Sequence, residues 1–224
     1  MTTLFVTSAG TDIGKTHVCC RLLDYLAPKF RLRCVKPVVT GFESATQETS
    51  DTLRLLRAQI LEVDQAAIEA TSPWRYRAAL SADMAAANEG TSLPFDELVA
   101  FSREPEDVEL NLIEGIGGVM APLDDKHTVL DWIEALDTEV LLVVGSYLGS
   151  ISHTLSAFDV LARRARKPLA IVVSQSSNEP VSTADTARSL ELHCGGIPIA
   201  ILPRDGAANA AALAALIQRL LKLR

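Results

Sequence analysis

Thr7-Ser8-Ala9-Gly10-Thr11-Asp12-Ile13-Gly14-Lys15-Thr16 is the stretch from which the rest of the chain can be read. Before it stands an apolar run, Leu4-Phe5-Val6, with the composition of a short buried strand. After it, Val18, Leu22, Leu23 and Leu26 recur on one side of a helical pattern. A strand, a small polar loop ending in Gly-Lys-Thr and then a helix make the layout of a phosphate-binding loop. Successive backbone N–H groups and the helix N-terminus point at one spot, where an anion is favoured. Lys15 adds a full positive charge reaching toward the outer phosphates, and Thr16 offers a hydroxyl to Mg²⁺. The usual pattern, Gly-x-x-x-x-Gly-Lys, would put glycine at position 9, but the chain has Ala9 there, after Ser8. Losing that glycine makes the turn out of the strand less free to adopt positive φ.

Outward from the loop, strand-like and helix-like segments alternate. Apolar runs rich in β-branched residues recur at 4–7, 33–36, 109–113, 140–144, 169–174 and 197–202. Helical patterns fall between them at 16–26, 128–136, 151–164, 182–193 and 208–223. Continuous apolar runs are what strands buried on both faces look like. The alternation predicts right-handed βαβ units and one doubly wound, mostly parallel α/β sheet with helices on both faces. Residues 40–107 interrupt the rhythm and contain no convincing strand. Four helices are expected there, at 51–58, 64–71, 78–88 (closed by Gly90) and 94–103. This insertion, about 42–107, would sit at the carboxyl edge of the sheet, where ligands bind. Residues 42–50 read as a loop. With no linker, repeat or low-complexity tract, one domain spanning 1–224 is the simplest account.

Composition narrows the function classes. The chain has 224 residues, 48% apolar, which favours a full α/β core over disorder. No apolar stretch reaches the roughly 18 residues that span a bilayer. Met1-Thr2-Thr3 enters a strand directly without a basic segment, so a signal peptide is not expected and the cytoplasm is. A net charge of −7 without a basic stripe argues against nucleic acid, and no membrane partner is expected. Arg163-Arg164-Ala165-Arg166-Lys167 falls at a helix C-terminus, where cations suit the dipole. The four cysteines, Cys19, Cys20, Cys34 and Cys194, show neither metal-ligand spacing nor a disulfide framework.

Four further features carry chemistry. Lys36-Pro37-Val38-Val39-Thr40-Gly41 follows the second strand. A lysine there lies either at the active-site edge or on the surface ahead of a turn, and Thr40 supplies a hydroxyl. The third strand ends in Ile113-Glu114-Gly115-Ile116-Gly117-Gly118. A carboxylate at the tip of a strand beside a phosphate loop suits Mg²⁺, and glycines such as Gly117 let backbone crowd against phosphate or substrate. Asp51 reads either as part of a helix cap with Ser50 or as a second carboxylate for the metal. Leu148-Gly149-Ser150-Ile151-Ser152-His153 opens a helix whose free N–H groups would favour a carboxylate ligand. His153 itself reads as a capping or core histidine before it reads as a base.

Placed in order, these pieces resemble the dethiobiotin synthetase family over the whole length. The resemblance rests on the Thr-x-x-Gly-Lys-Thr loop at 11–16, the Lys-Pro-x-x-[Ser/Thr]-Gly turn at 36–41, the Glu-Gly-x-Gly-Gly turn at 114–118 and the Leu-Gly-x-x-x-His segment at 148–153. It implies a homodimeric phosphate-loop enzyme. It also implies ATP- and Mg²⁺-dependent closure of a ureido ring on a diamino fatty acid, 7,8-diaminopelargonic acid, with CO₂. By the resemblance, Lys15, Lys36 and Thr11 are the catalytic groups. Thr16, Asp51 and Glu114 hold the metal. The loop from Gly10 through Asp12, Ile13 and Gly14 binds nucleotide, with Asp12 close to phosphate and metal. Thr40 lies near the diamine, and Gly149, Ser150 and Ser152 receive the substrate carboxylate across the dimer interface. Ser8 stands where many members have their first loop glycine. Gln175 matches an asparagine that reads adenine, and Pro203 keeps the proline after the last strand. Because Arg204-Asp205-Gly206 shows no clear base-reading carboxamide, GTP or other triphosphates stand beside ATP as alternatives. Two rival readings are a cobyrinate-type amidoligase and a partitioning-type ATPase switch. The first needs a glutamine-hydrolysing domain for which there is no room. The second usually carries an extra lysine early in the loop, where this chain has Gly10.

Overall fold

The computed structural model describes residues 2–43, 49–103 and 107–223. Most of the loop expected at 42–50 therefore lies outside the described residues. Six strands form the main sheet: β1 (Thr2–Ser8), β2 (Leu32–Val35), β5 (Leu110–Glu114), β6 (Glu139–Gly145), β7 (Ala170–Ser174) and β8 (Ile199–Leu202). Their order is β2-β5-β1-β6-β7-β8, and every pairing is parallel. The expected doubly wound α/β architecture is the one found.

Alternate residues of each strand feed two separate cores, one on each face. Leu4, Val6, Leu112, Leu141 and Val143 pack with α1 (Lys15–Leu26) and α9 (Ala207–Leu220). Phe5, Ile113, Val140, Leu142 and Val144 pack on the other face with α6 (Val129–Leu136), α7 (Ser150–Arg164) and α8 (Thr183–His193). Both faces are covered, which is why the strands read as unbroken apolar runs. Among the described residues no helix is long and apolar enough to cross a membrane. The basic run at the C-terminal end of α7 is tied down locally: Arg164 bonds Asp131 and Glu134, and Arg166 bonds Asp137 and Glu139.

The insertion departs from expectation in two places. It contains a strand: β3 (Val38–Thr40) pairs in parallel with β4 (Trp74–Tyr76) as a separate two-stranded sheet. Pro37 is the cause. It has no N–H for the main ladder, and it separates β2 from β3. The Lys36 N–H turns to Thr71 O and the Pro37 carbonyl accepts from Trp74 N, so the chain leaves the main sheet along a new partner. Of the four helices, α2 (Asp51–Ala58), α3 (Gln65–Thr71) and α5 (Phe95–Arg103) fall where expected, but α4 (Ala82–Asn88) starts four residues late. The Ala78 carbonyl accepts from Gly41 N, so residues just after β4 still follow β3 and cannot turn into a helix until Ser81.

Parallel strands present all their carboxyl ends at one edge. The chain order reverses around β1, with β5 and β2 on one side and β6, β7 and β8 on the other. A crevice at such a switch point is where open α/β sheets bind ligands.

Candidate active site

At that crevice, the loop from β1 to α1 turns on two left-handed residues, Asp12 (φ 56) and Gly14 (φ 108). A side chain on Gly14 would come within 2.5 Å of the Ser174 hydroxyl, so glycine is required there for space as well as for φ. Ser8 and Ala9 do not adopt positive φ, so the glycine absent from position 9 leaves no strain behind. Ser8 instead contributes a hydroxyl. Fully buried, its Oγ lies 2.6 Å from Gly10 O and 2.9 Å from Gly117 O, and it accepts from Lys15 Nζ at 3.1 Å. The Lys15 ammonium also donates to Gly117 O at 2.7 Å. Ser8 was read in the sequence only as a lost glycine, and nothing in the motif announced these bonds.

A cavity of about 270 Å³ opens beside the loop. Thr11, Asp12, Gly14, Lys15, Thr16, Lys36, Thr40, Asp51, Glu114 and Gly117 all line it. The structure thus gathers nearly the whole phosphate, lysine and metal set expected from sequence. At its floor Lys36 Nζ bonds Asp51 Oδ2 and lies 2.8 Å from Glu114 Oε1, while the Thr16 hydroxyl donates to the same Glu114 oxygen at 2.6 Å. Asp51 opens α2 and serves the cluster, while Ser50 supplies the helix cap. The second Glu114 oxygen, Oε2, is buried and has no hydrogen-bond partner among the described residues. A buried anionic oxygen with a free lone pair wants a cation. Arg54, one turn after Asp51 on α2, also lines the cavity and pairs with Asp51 at 3.6 Å; only its i,i+3 spacing could have marked it.

Electrostatics separate the two lysines. Burial is the largest influence on Lys15 and, with the neighbouring Lys36 charge, lowers its pKa to about 8. Burial also works against Lys36, but Glu114 and then Asp51 outweigh it and hold its pKa above the ordinary lysine range. Burial would raise Asp51, yet Lys36 overrides it and the carboxyl sits below its usual value.

A second, larger cavity of about 820 Å³ adjoins the first along Thr11, Asp12, Gly14, His17 and Arg54. Gly10, Ile13, Gln175 and Arg204 line it. Pro203 follows β8, next to Arg204, and is not among its lining residues. Gln175 is fixed by Glu179 and by the Arg204 N–H. His153 is exposed and bonds the Tyr147 hydroxyl at 2.8 Å, so it is neither a cap nor a core residue. Gly149, Ser150 and Ser152 line neither cavity; they open α7, with Gly149 at φ 94, Ser150 buried and Ser152 exposed. The described residues hold no cluster of three or more His, Cys, Asp or Glu arranged for a metal, and the four cysteines are free.

A parallel sheet whose first strand runs through Gly-Lys-Thr into a helix, with lysine and carboxylates at neighbouring strand ends, defines a phosphate-loop NTPase-like α/β protein. The crystal structure of the hydrogenase maturation factor HypB from Archaeoglobus fulgidus shares the fold, with a TM-score of 0.59 over 99% of this chain and 90% of that one at 13% identity. A family model described as an AAA domain matches residues 2–211. ATP-dependent dethiobiotin synthetase BioD of Acidiphilium cryptum (strain JF-5) is 43% identical over 203 residues, 88% of this chain and 91% of that protein. The protein of the same name from Caulobacter sp. (strain K31) is 44% identical over 218 residues, covering 96% and 93%. The chain belongs to the dethiobiotin synthetase family, and is an enzyme of the ligase class.

Proposed function

We propose that this chain closes the ureido ring of dethiobiotin from 7,8-diaminopelargonic acid and CO₂ at the expense of ATP, as a single phosphate-loop domain working in a homodimer. The observation that carries the reading is the pairing of two buried ammonium groups, Lys15 and Lys36, on one cavity with a phosphate loop on its rim. One substrate amine takes up CO₂ as a carbamate. A carbamate oxygen attacks the γ-phosphorus, ADP leaves, and a carbamic–phosphoric mixed anhydride results. The second amine then attacks the carbonyl carbon and phosphate departs with the C–O bond electrons, closing the ring. Every step piles negative charge onto carbamate and phosphoryl oxygens, so fixed cations and N–H donors supply the catalysis. Lys15 and the loop N–H groups, with the Thr11 hydroxyl, hold the phosphates. Lys36 neutralises the carbamate, and Thr40 orients the diamine. No protein nucleophile is needed.

The residues fit Mg²⁺. This ion favours one or two carboxylates together with substrate phosphates and waters over an all-protein cage, and Glu114 Oε2 is a buried oxygen without a partner. Thr16, Asp51 and Glu114 would hold it, and it would offset phosphate charge during transfer. Gly149, Ser150 and Ser152, which line neither cavity of this chain, suit a carboxylate site that serves the partner subunit. Phosphate release should require ATP, the diamine and bicarbonate together. Turnover without diamine, stimulated instead by nucleic acid or lipid, would favour the ATPase-switch reading. Sedimentation of the purified chain as a monomer at working concentration would remove the shared site.

A further inference from the structure

The amide of Gln175 is held in one orientation. A carboxamide offers two hydrogens on nitrogen and two lone pairs on oxygen, and either end can point either way unless its neighbours decide. Here they do. Gln175 Nε2 donates to Glu179 Oε2 at 2.7 Å, and a carboxylate can only accept. Gln175 Oε1 accepts from the Arg204 backbone N–H at 3.2 Å, and an N–H can only donate. Flipping the amide would set oxygen against oxygen at one end and N–H against N–H at the other. Glu179 is itself anchored, since its other oxygen accepts from Thr183 N, the first residue of α8, at 2.6 Å. Gln175 N is tied to Leu202 O across the β7–β8 strand ends. After these bonds the amide keeps one free hydrogen and one free lone pair, and Gln175 lines the larger cavity.

Adenine presents an N6 amino donor next to an N7 acceptor, and an unflipped amide meets both; guanine presents O6 and N7, two acceptors. In either orientation the amide sets its oxygen against one guanine acceptor, whereas adenine is met at both atoms by the unflipped amide and at neither by the flipped one. We propose that Glu179 is a positioning residue which locks Gln175 in the adenine-accepting orientation and so sets the preference for ATP over GTP. The inference rests on the proposed function, with the base of the nucleotide whose phosphates the loop holds taken to enter the adjoining larger cavity at Gln175.

The test compares kcat/KM for ATP and for GTP in full-length wild type, Glu179→Gln, Gln175→Ala and the double variant. Glu179→Gln keeps the size of the side chain and an oxygen for Thr183 N but adds donors, so Gln175 is free to flip. The ratio of ATP to GTP should fall about tenfold, chiefly through poorer use of ATP, because guanine meets one clash in either orientation of the amide. Gln175→Ala should lower the ratio as well, and the double variant should fall no further. General damage to the fold would lower both nucleotides together and leave the ratio alone. A ratio unchanged in Glu179→Gln but lowered in Gln175→Ala overturns the locking role while leaving the base at Gln175. A ratio unchanged in Gln175→Ala, or a wild type without preference for ATP, overturns the placement of the base and the inference with it.

Discussion

Two strand ends of the same sheet hold two buried lysines, and their surroundings drive them in opposite directions. After β1, Lys15 meets only neutral acceptors, the Ser8 hydroxyl and the Gly117 carbonyl, and its pKa falls to about 8. After β2, Lys36 meets Asp51 and Glu114, and its pKa rises. Both side chains are almost completely buried, so burial alone does not decide the sign; the charge of the partner does. The lesson concerns function. A lysine paired with two carboxylates holds its proton firmly and stays a fixed cation. A lysine bonded only to dipoles keeps more of its charge uncompensated, and in the proposed function an arriving phosphate would relieve it.

The sharpest way to break the contrast is to remove its compensated side. Lys36→Ala takes the ammonium from the proposed carbamate position and should cut ring closure by about 10³-fold while ATP still binds. Product formation by mass spectrometry, beside nucleotide titration, checks this, and near wild-type product would remove Lys36 from the chemistry. Next in size, Glu114→Gln deletes the carboxylate that contributes most to raising Lys36. It should weaken Mg²⁺ roughly tenfold or more in activity titrations, on the scale of lost metal-site contacts. An unchanged Mg²⁺ curve would count against a ligand role.

Why was so much of this legible, and why not all? The six main strands announced themselves because both faces are covered, which leaves no polar alternation to confuse the pattern. β3 and β4 stayed hidden because each spans three residues and pairs outside the main sheet, too short for periodicity to register. In the site, the residues marked by motifs at the strand ends come together: the loop, Lys36, Thr40, Asp51 and Glu114 line one cavity. Residues that act by holding another residue were missed. Ser8 looked like a defect, because a motif records glycine for its φ and says nothing of a hydroxyl that could stand in its place. Glu179 belongs to no motif, since its relation to Gln175 arises from how the loop after β7 folds back.

The uncompensated lysine predicts a stability signature. In the metal- and nucleotide-free protein, Lys15 has a folded pKa of about 8 against 10.5 for the free side chain. Below pH 8 both folded and unfolded chains carry the proton, and the folded state bears the full cost of a poorly solvated charge. Between about 8 and 10.5 the unfolded chain binds more protons than the folded one, so wild-type stability rises with pH through that window on this account. Lys15→Met removes the charge. It should therefore gain about 1–2 kcal/mol over wild type at pH 7, with the gain fading as pH approaches 10.5, while activity is lost. Thermal melts of both proteins across that range would show it, and a destabilised Lys15→Met at pH 7 would mean that the ammonium's bonds to Ser8 and Gly117 outweigh its burial.

The smallest effect tests one of those two bonds alone. Ser8→Gly takes one acceptor from Lys15 and one donor from the loop carbonyls. Because position 8 does not need positive φ here, glycine gains nothing in conformation and adds freedom to the unfolded chain. The loss should be about 1 kcal/mol by denaturant melts, with KM for ATP changed less than about threefold, since Gly117 O still holds the ammonium at 2.7 Å. A KM raised tenfold would show that the serine hydroxyl, and not the carbonyl, aims Lys15 at the phosphate, and would make position 8 the pivot of the contrast between the two lysines.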